Sequence, residues 1–371
     1  MKKQALIAMS GGVDSAVAAY LTQQQGLDCI GITMRLFSNE DVGITGQEEQ
    51  NKGQIWQVNQ KTCCSLEDAN LAEKVADRLD IPFYVFNLAE DFKKQVIGRF
   101  IASYENGATP NPCIDCNRFI KFDRLFLRAK QLGLDYVVTG HYARIEQNGS
   151  RFLLKKGVDS SKDQSYVLYA MTQEQLGHTL FPLGGLKKSE VREIAAKHGF
   201  VNAEKPESQD ICFVRDGDYA RFIEYHTGKQ YQPGNFLDLQ GNVLGQHNGL
   251  IRYTIGQRKG LGIALGKPMY VCEKRPNDNT VVLCENEKLF QKELYANDFN
   301  WIAEDTPSNP IRIKAKIRYN QSEQWATAES IAQDTVRIVF DEPQRAIAAG
   351  QAVVLYDGDI VVGGGTILKV S

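Results

Sequence analysis

The chain has 371 residues, 43 Lys plus Arg against 45 Asp plus Glu, and a hydrophobic share of 43%. That length exceeds one comfortable core, so two or three domains are expected, and a net charge of −2 confines any nucleic-acid surface to local patches. There is no long apolar run of membrane-spanning length and Met1-Lys2-Lys3 leads straight into a strand, which reads as a cytoplasmic protein with no membrane contact. Eight cysteines in such a chain point to catalysis, redox chemistry or metal rather than to structural disulfides.

Residues 5–9 read as a buried strand and residues 16–21 as helix. The six residues Ser10-Gly11-Gly12-Val13-Asp14-Ser15 therefore join a strand to a helix, with backbone N–H groups pointing into the positive end of that helix. Such a turn is an anion site. It is not a Walker loop, because no Lys follows the glycines. It resembles the PP-loop of ATP pyrophosphatases, which split ATP into AMP and pyrophosphate to activate an oxygen.

Residues 28–34 form the next predicted strand, and a Gln/Asn/Gly-rich insert over 37–61 reads as a loop. Ser65 has the character of an N-cap, with Asp68 three residues on, for a helix reaching residue 79. A strand at 83–87, helices at 91–104 and 119–132, and a strand at 136–140 follow. Asn148-Gly149 reads as a hairpin turn between 143–146 and 151–155. Alternating strands and helices predict an α/β domain with a parallel sheet covered on both faces, and with ligands at the carboxyl ends of its strands. From residue 206 glycines crowd in, and beyond 289 short strands alternate with turns, which closes most simply as a small β-barrel. The expected domains are 1–205, 206–288 (small and β-rich) and 289–371.

Three cysteines lie in tight polar contexts. Cys113 and Cys116 sit in a proline-braced loop, Thr109-Pro110-Asn111-Pro112-Cys113-Ile114-Asp115-Cys116-Asn117, ahead of a helix expected near Arg118. Cys212 sits in Ser208-Gln209-Asp210-Ile211-Cys212-Phe213 at the first domain boundary. A thiol just before a helix start is activated as thiolate. The competing reading of Cys-x-x-Cys is half a zinc site, completed by Cys63-Cys64. Cys29, Cys272 and Cys284 lie in apolar strands and read as core.

The glycine loop, Asn111-Pro112-Cys113-Ile114-Asp115-Cys116-Asn117, Thr139-Gly140-His141-Tyr142, Lys162-Asp163-Gln164-Ser165-Tyr166, Ser208 to Phe213 and Gly249 to Gly262 occur in the order found in bacterial tRNA-specific 2-thiouridylases. The chain resembles that family over nearly its whole length apart from the 37–61 insert. The resemblance implies a PP-loop (adenine nucleotide alpha hydrolase-like) domain, a small central domain and a C-terminal tRNA-binding barrel. It implies ATP phosphates cradled by Ala8, Met9, Ser10, Gly11, Gly12, Val13, Asp14 and Ser15, with Met34 and Gly140 on the adenine side. It makes Cys116 the nucleophile, Cys212 the persulfide carrier, and Asn111, Pro112 and Cys113 the contacts to the target base. It places His141, Lys162, Asp163, Gln164, Arg318, Tyr319 and Gln351 on tRNA.

A uracil carbonyl is a poor electrophile, so its oxygen must first become a leaving group. Adenylation by ATP with Mg²⁺ does this, with pyrophosphate held in the glycine loop. Asp14 either helps to hold the metal or caps the loop. No protein metal ligand is otherwise assigned. A persulfide on Cys212, loaded by a cysteine desulfurase or sulfur-relay protein, then delivers sulfur, and a Cys116–Cys212 disulfide closes behind it. A [4Fe–4S] cluster on Cys113, Cys116 and Cys212 is the alternative. The persulfide route is preferred because some family members have Asp where this chain has Cys113.

On a strand, Arg312, Lys314, Lys316 and Arg318 would share one face, with Tyr319 beside it as a stacking surface for RNA. Residues 245–275 carry six basic side chains against one acidic. Two rival readings remain. An amidating PP-loop ligase of the GMP synthetase kind has no use for Cys116 and Cys212. An inactive tRNA-binding protein has no need of an intact Ser10–Ser15 loop.

Overall fold

A computed structural model of the chain describes residues 2–38, 41, 66–200, 211–214 and 217–370. Ser65, Cys63-Cys64, most of the 37–61 insert and Ser208-Gln209-Asp210 lie outside the described residues. The chain divides into two compact units. The first comprises Met1–Val96, Cys113–Asp218 and Asp359–Val361; the second comprises Ile97–Pro112, Tyr219–Gly358 and Val362–Ser371.

The first unit is built on a five-stranded sheet of order β3-β2-β1-β4-β7, from β1 (Gln4–Ala8), β2 (Asp28–Arg35), β3 (Phe83–Asn87), β4 (Tyr136–Val138) and β7 (Thr179–Leu180). Every pairing in it is parallel. Because side chains alternate along a strand, β1 feeds two cores. Ala5, Ile7 and Met9 pack with α1 (Val13–Gln24), α2 (Leu66–Arg78) and α8 (Lys188–Lys197). Leu6 and Ala8 pack on the other face with Leu125 and Ala129 of α6 (Leu125–Gln131). Leu6 and Ile7 are fully buried, each contributing about 1.5–3 kcal/mol of transfer free energy. This is the expected sheet covered on both faces.

Three local readings are corrected. Helix starts at Pro112, not near Phe119: α5 (Pro112–Asp115) runs into a π-helical stretch (Cys116–Arg124) and then α6. Proline is suited to a first helical position because its fixed φ matches the helix and its missing N–H is not needed there. Cys113 and Cys116 therefore lie in helical turns, not in a loop. The hairpin of β5 (Ala143–Asn148) and β6 (Arg151–Lys156) pairs Asn148 with Arg151. Its turn is therefore Gly149-Ser150, with Gly149 at φ +60°, one residue later than the sequence suggested. Asn148 ends a strand instead of opening the turn.

In the second unit, β8 (Gly234–Leu237), β9 (Val243–His247), β10 (Tyr270–Arg275) and β11 (Thr280–Cys284) form a sheet of order β10-β11-β8-β9 over a core of Phe236, Tyr253, Val271 and Leu283. Before it stands α9 (Tyr219–Thr227), a helix not anticipated where helical signals thin out; it buries Ala220, Phe222 and Ile223. Strands β12 (Phe290–Trp301), β13 (Ile311–Lys316), β14 (Gln324–Ala332), β15 (Thr335–Arg345), β16 (Ala352–Asp357) and β17 (Ile360–Val370) follow in the order β12-β15-β14-β13-β16-β17. Pairing of β12 with β17 closes them into a six-stranded barrel. Closure leaves no open sheet edge. Leu294, Ile313, Ala315, Ile338, Phe340 and Leu355 are among the side chains that fill it.

Candidate active site

With β1 flanked by β2 on one side and β4 on the other, the sheet reverses its winding between β1 and β4. The crevice at the carboxyl ends of those two strands is where a doubly wound sheet binds its ligand. Ser10 to Ser15 leave β1 at that point, and Gly140 follows β4. Two glycines are required by the geometry. Gly11 has φ +69°, and a Cβ there would lie 2.3 Å from the Asp68 carbonyl oxygen. A Cβ at Gly140 would lie 2.9 Å from the carbonyl carbon of Asp14 and 3.0 Å from the Ser15 nitrogen. Thus β4 and α2 both press backbone against the loop. The Ser10 N–H donates to Ser15 Oγ (3.1 Å), whose own hydroxyl donates to Gly12 O (2.9 Å), fixing the turn. Met34 stands half-buried near the end of β2, paired with Phe86 of β3.

Asp14 neither caps the loop nor stands open. Helix α1 has no side-chain cap. The Asp14 carboxylate accepts from Lys188 Nζ (2.7 and 2.8 Å) and from the Tyr142 hydroxyl (2.7 Å). Lys188, at the start of α8, is only 8% exposed. Neither it nor Tyr142 carries a signal in the sequence that ties it to a loop more than a hundred residues away.

The cysteine-bearing segments of the first unit dock on one short helix, α3 (Ala89–Phe92), which continues as a π-helical stretch (Lys93–Ile97). Phe213, next to Cys212, packs edge-on against Phe92 at 5.7 Å between ring centres. Arg124, on the π stretch that begins with Cys116, donates to Asp91 at 2.9 Å. Cys113 is exposed, and Cys116 and Cys212 are half-buried; all are thiols, as are Cys29, Cys272 and Cys284. A π-helical turn widens the helix and is frequent at functional positions. Cys29 and Cys284 are buried, and burial pushes the Cys29 thiol up to about 11. Burial raises Cys272 and Cys284 as well, although Cys272 is half-buried and packs at the margin of the core instead of inside it. Among the described residues, no three His, Cys, Asp or Glu side chains converge as a metal-ligating group.

The residues expected on tRNA divide by exposure. His141 is 7% exposed, packed against Phe122 and Phe181 and hydrogen-bonded through Nδ1 to Thr139 Oγ1 (2.7 Å). Burial, aided by the nearby Lys121 charge, holds its pKa well below the usual histidine value. Asp163 accepts from the Gly157 and Ser165 N–H groups (both 3.1 Å), and the side-chain oxygen of Gln164 accepts from the Tyr142 N–H (3.0 Å). Lys162 beside them is half-buried. Gln351, in the second unit, donates through Nε2 to the carbonyls of Thr109 (2.8 Å) and Pro110 (3.3 Å), directly before Asn111 and Pro112. Arg318 donates to the Ala346 carbonyl, and Tyr319 is exposed.

The basic face of the six-residue strand β13 carries three cations, not four. In β13, Ile313 and Ala315 point into the barrel while Arg312, Lys314 and Lys316 face outward. The strand ends before Arg318, whose guanidinium turns to Ala346 instead. Trp325, half exposed and paired with Lys314 across β14, lies under both Arg312 (5.1 Å) and Lys314 (5.3 Å). This aromatic platform escaped the sequence reading because it comes from the neighbouring strand. Part of the excess charge of 245–275 is answered: Arg252 pairs with Glu224 and Lys267 with Glu285 from outside the segment, and Arg275 with Glu273 inside it. Arg258 and Lys259 stay exposed.

Among the described residues, no helix is long and apolar enough to cross a membrane. Residues 3–216 match the family profile described as tRNA methyl transferase HUP domain. Residues 220–285 match the tRNA methyl transferase PRC-barrel domain, and 291–367 the aminomethyltransferase beta-barrel domain. A tRNA-specific 2-thiouridylase of Clostridioides difficile is 53% identical over 371 residues, covering 100% of this chain and 99% of that protein. Those of Lachnoclostridium phytofermentans and Carboxydothermus hydrogenoformans are 50% and 49% identical, each over 99% of this chain and over 100% and 98% of their own lengths.

Proposed function

The chain belongs to the tRNA-specific 2-thiouridylase family, and we propose that it is an ATP-dependent tRNA-uridine 2-sulfurtransferase acting on the wobble uridine by way of a persulfide on Cys212. The observation that carries the reading is the Gly11-Gly12 turn at the sheet's crossover, in the same unit as two cysteine segments that share α3. An amidating ligase has no work for those thiols.

In this mechanism the loop amides of Ser10–Ser15 hold the phosphates of ATP, and Met34 and Gly140 border the adenine. Mg²⁺, when bound with ATP, adds charge neutralisation at the phosphates. Asn111, Pro112 and Cys113 present the uridine. Its O2 attacks the α-phosphorus, releasing pyrophosphate and leaving O2 adenylated. The terminal sulfur of the Cys212 persulfide attacks C2, and AMP departs with the oxygen. The base is then joined to Cys212 through an S–S bond. The Cys116 thiolate attacks Cys212 Sγ, breaking that bond, so that sulfur leaves on the base as 2-thiouridine and a Cys116–Cys212 disulfide forms. An external thiol reduces the disulfide, and a cysteine desulfurase or sulfur-relay protein reloads Cys212.

Tyr319 and Lys162 supply surface contacts to tRNA. Asp163, Gln164, Arg318 and Gln351, half-buried like Lys162, join them at the tRNA surface, while His141 is buried against Phe122 and Phe181. Nucleoside mass spectrometry tests the route. Cys116→Ser and Cys212→Ser should each abolish 2-thiouridine while tRNA binding persists. Near-normal thiolation by Cys212→Ser would end the persulfide assignment.

A further inference from the structure

The nucleotide loop lacks the lysine that a Walker loop carries in its own sequence, yet an ammonium lies against it. Lys188 Nζ comes from the first turn of α8 and sits 2.7–2.8 Å from both oxygens of Asp14. A cation only 8% exposed is costly to bury unless its charge is answered, and the fold spends a loop carboxylate on doing so. That carboxylate is thereby turned to Lys188 and Tyr142 and away from the first-turn N–H groups of α1, which have no side-chain cap. Left bare, Asp14 would repel an incoming polyphosphate at the point where the helix end attracts it.

We infer that Lys188 is the phosphate-binding cation of this site: it neutralises Asp14 in the empty loop and donates to the β- and γ-phosphates of ATP, and then to pyrophosphate, in the loaded one. The inference rests on the ATP-dependent reading above and assigns the residue that recognises the leaving group. It also explains how a glycine loop without a lysine manages a polyanion: the charge arrives from 174 residues along the chain.

The test is calorimetric titration of the full-length protein with ATP, AMP and inorganic pyrophosphate, with divalent cations chelated. Lys188→Met should weaken ATP and pyrophosphate about tenfold or more, the scale of one charge-assisted hydrogen bond, and leave AMP within about twofold. Asp14→Asn, which keeps Lys188 and the Tyr142 contact but removes the competing carboxylate, should bind pyrophosphate several-fold more tightly. A structural ion pair would instead make the two variants weaken pyrophosphate alike. That result, or equal losses for AMP and pyrophosphate in Lys188→Met, overturns the inference. If Lys188→Met does not fold, Asp14→Asn with Lys188→Met, which leaves no unpaired buried charge, is compared with Asp14→Asn and read in the same way. Wild-type protein that binds pyrophosphate through Lys188 but makes no 2-thiouridine would sink the proposed function and leave this assignment standing.

Discussion

Gly11→Ala should be among the most damaging single-methyl changes in the first unit, while Gly12→Ala next to it should be mild. Gly11 has φ +69°, a left-handed conformation that costs an L-residue about 1–2 kcal/mol. Its new Cβ would also stand 2.3 Å from Asp68 O and 2.9 Å from Asp68 C and Cα. These are backbone atoms of a buried residue in α2, so relief requires moving the helix, and overpacking of this kind costs about 1–3 kcal/mol more. The sum, about 2–5 kcal/mol, corresponds to a fall of roughly 5–15 °C in melting temperature. At Gly12 the φ is −89° and the nearest atom is Ser10 Oγ at 3.5 Å, an ordinary contact. The cost there is the weaker helix start of alanine, at most about 1 kcal/mol. Scanning calorimetry of both variants, with calorimetric ATP titration of each, makes the comparison. Equal melting temperatures for the two, or Gly11→Ala within a degree of wild type, would refute the reasoning about left-handed backbone and close approach.

Replacing Lys314 and Lys316 by Gln should weaken tRNA binding uniformly across substrates and flatten its logarithmic salt dependence by up to ~0.9 for each phosphate no longer neutralised; an unchanged slope would mean that this face of the barrel only meets water. Cys113→Asp should keep substantial thiolation, and protein purified without oxygen should work with ATP and a sulfide donor without iron; about four irons per chain, with activity abolished by chelation, would reverse that. His141 has its folded pKa depressed by burial, so its contribution to stability is present above the unfolded value near ~6.5 and is lost as pH falls below it. Thermal melts from pH 7.5 to 5 should therefore fall less steeply for His141→Gln than for wild type, and parallel curves would show that His141 protonates without penalty.

Local sequence was enough wherever the cause is local. The unbroken apolar run of residues 5–9 specifies a strand buried on both faces, the paired glycines specify a turn into a helix, and Ile313 and Ala315 specify which side of β13 is inside. The positions of Cys113 and Cys116 were misjudged because Pro112 reads as a loop residue until its place at the first turn of a helix is seen. Arg318 drops off the basic face because β13 stops at Lys316 and the chain turns, a boundary that alternation alone cannot locate. What only the tertiary structure decided is which distant groups meet. Lys188 reaches Asp14, Trp325 slides beneath Arg312 and Lys314, Gln351 grips Thr109 and Pro110, and Phe213 finds Phe92. Each of these meetings follows from sheet order, strand register or helix packing. Those are properties of how whole elements bury their apolar faces together, and no single stretch of the chain encodes them.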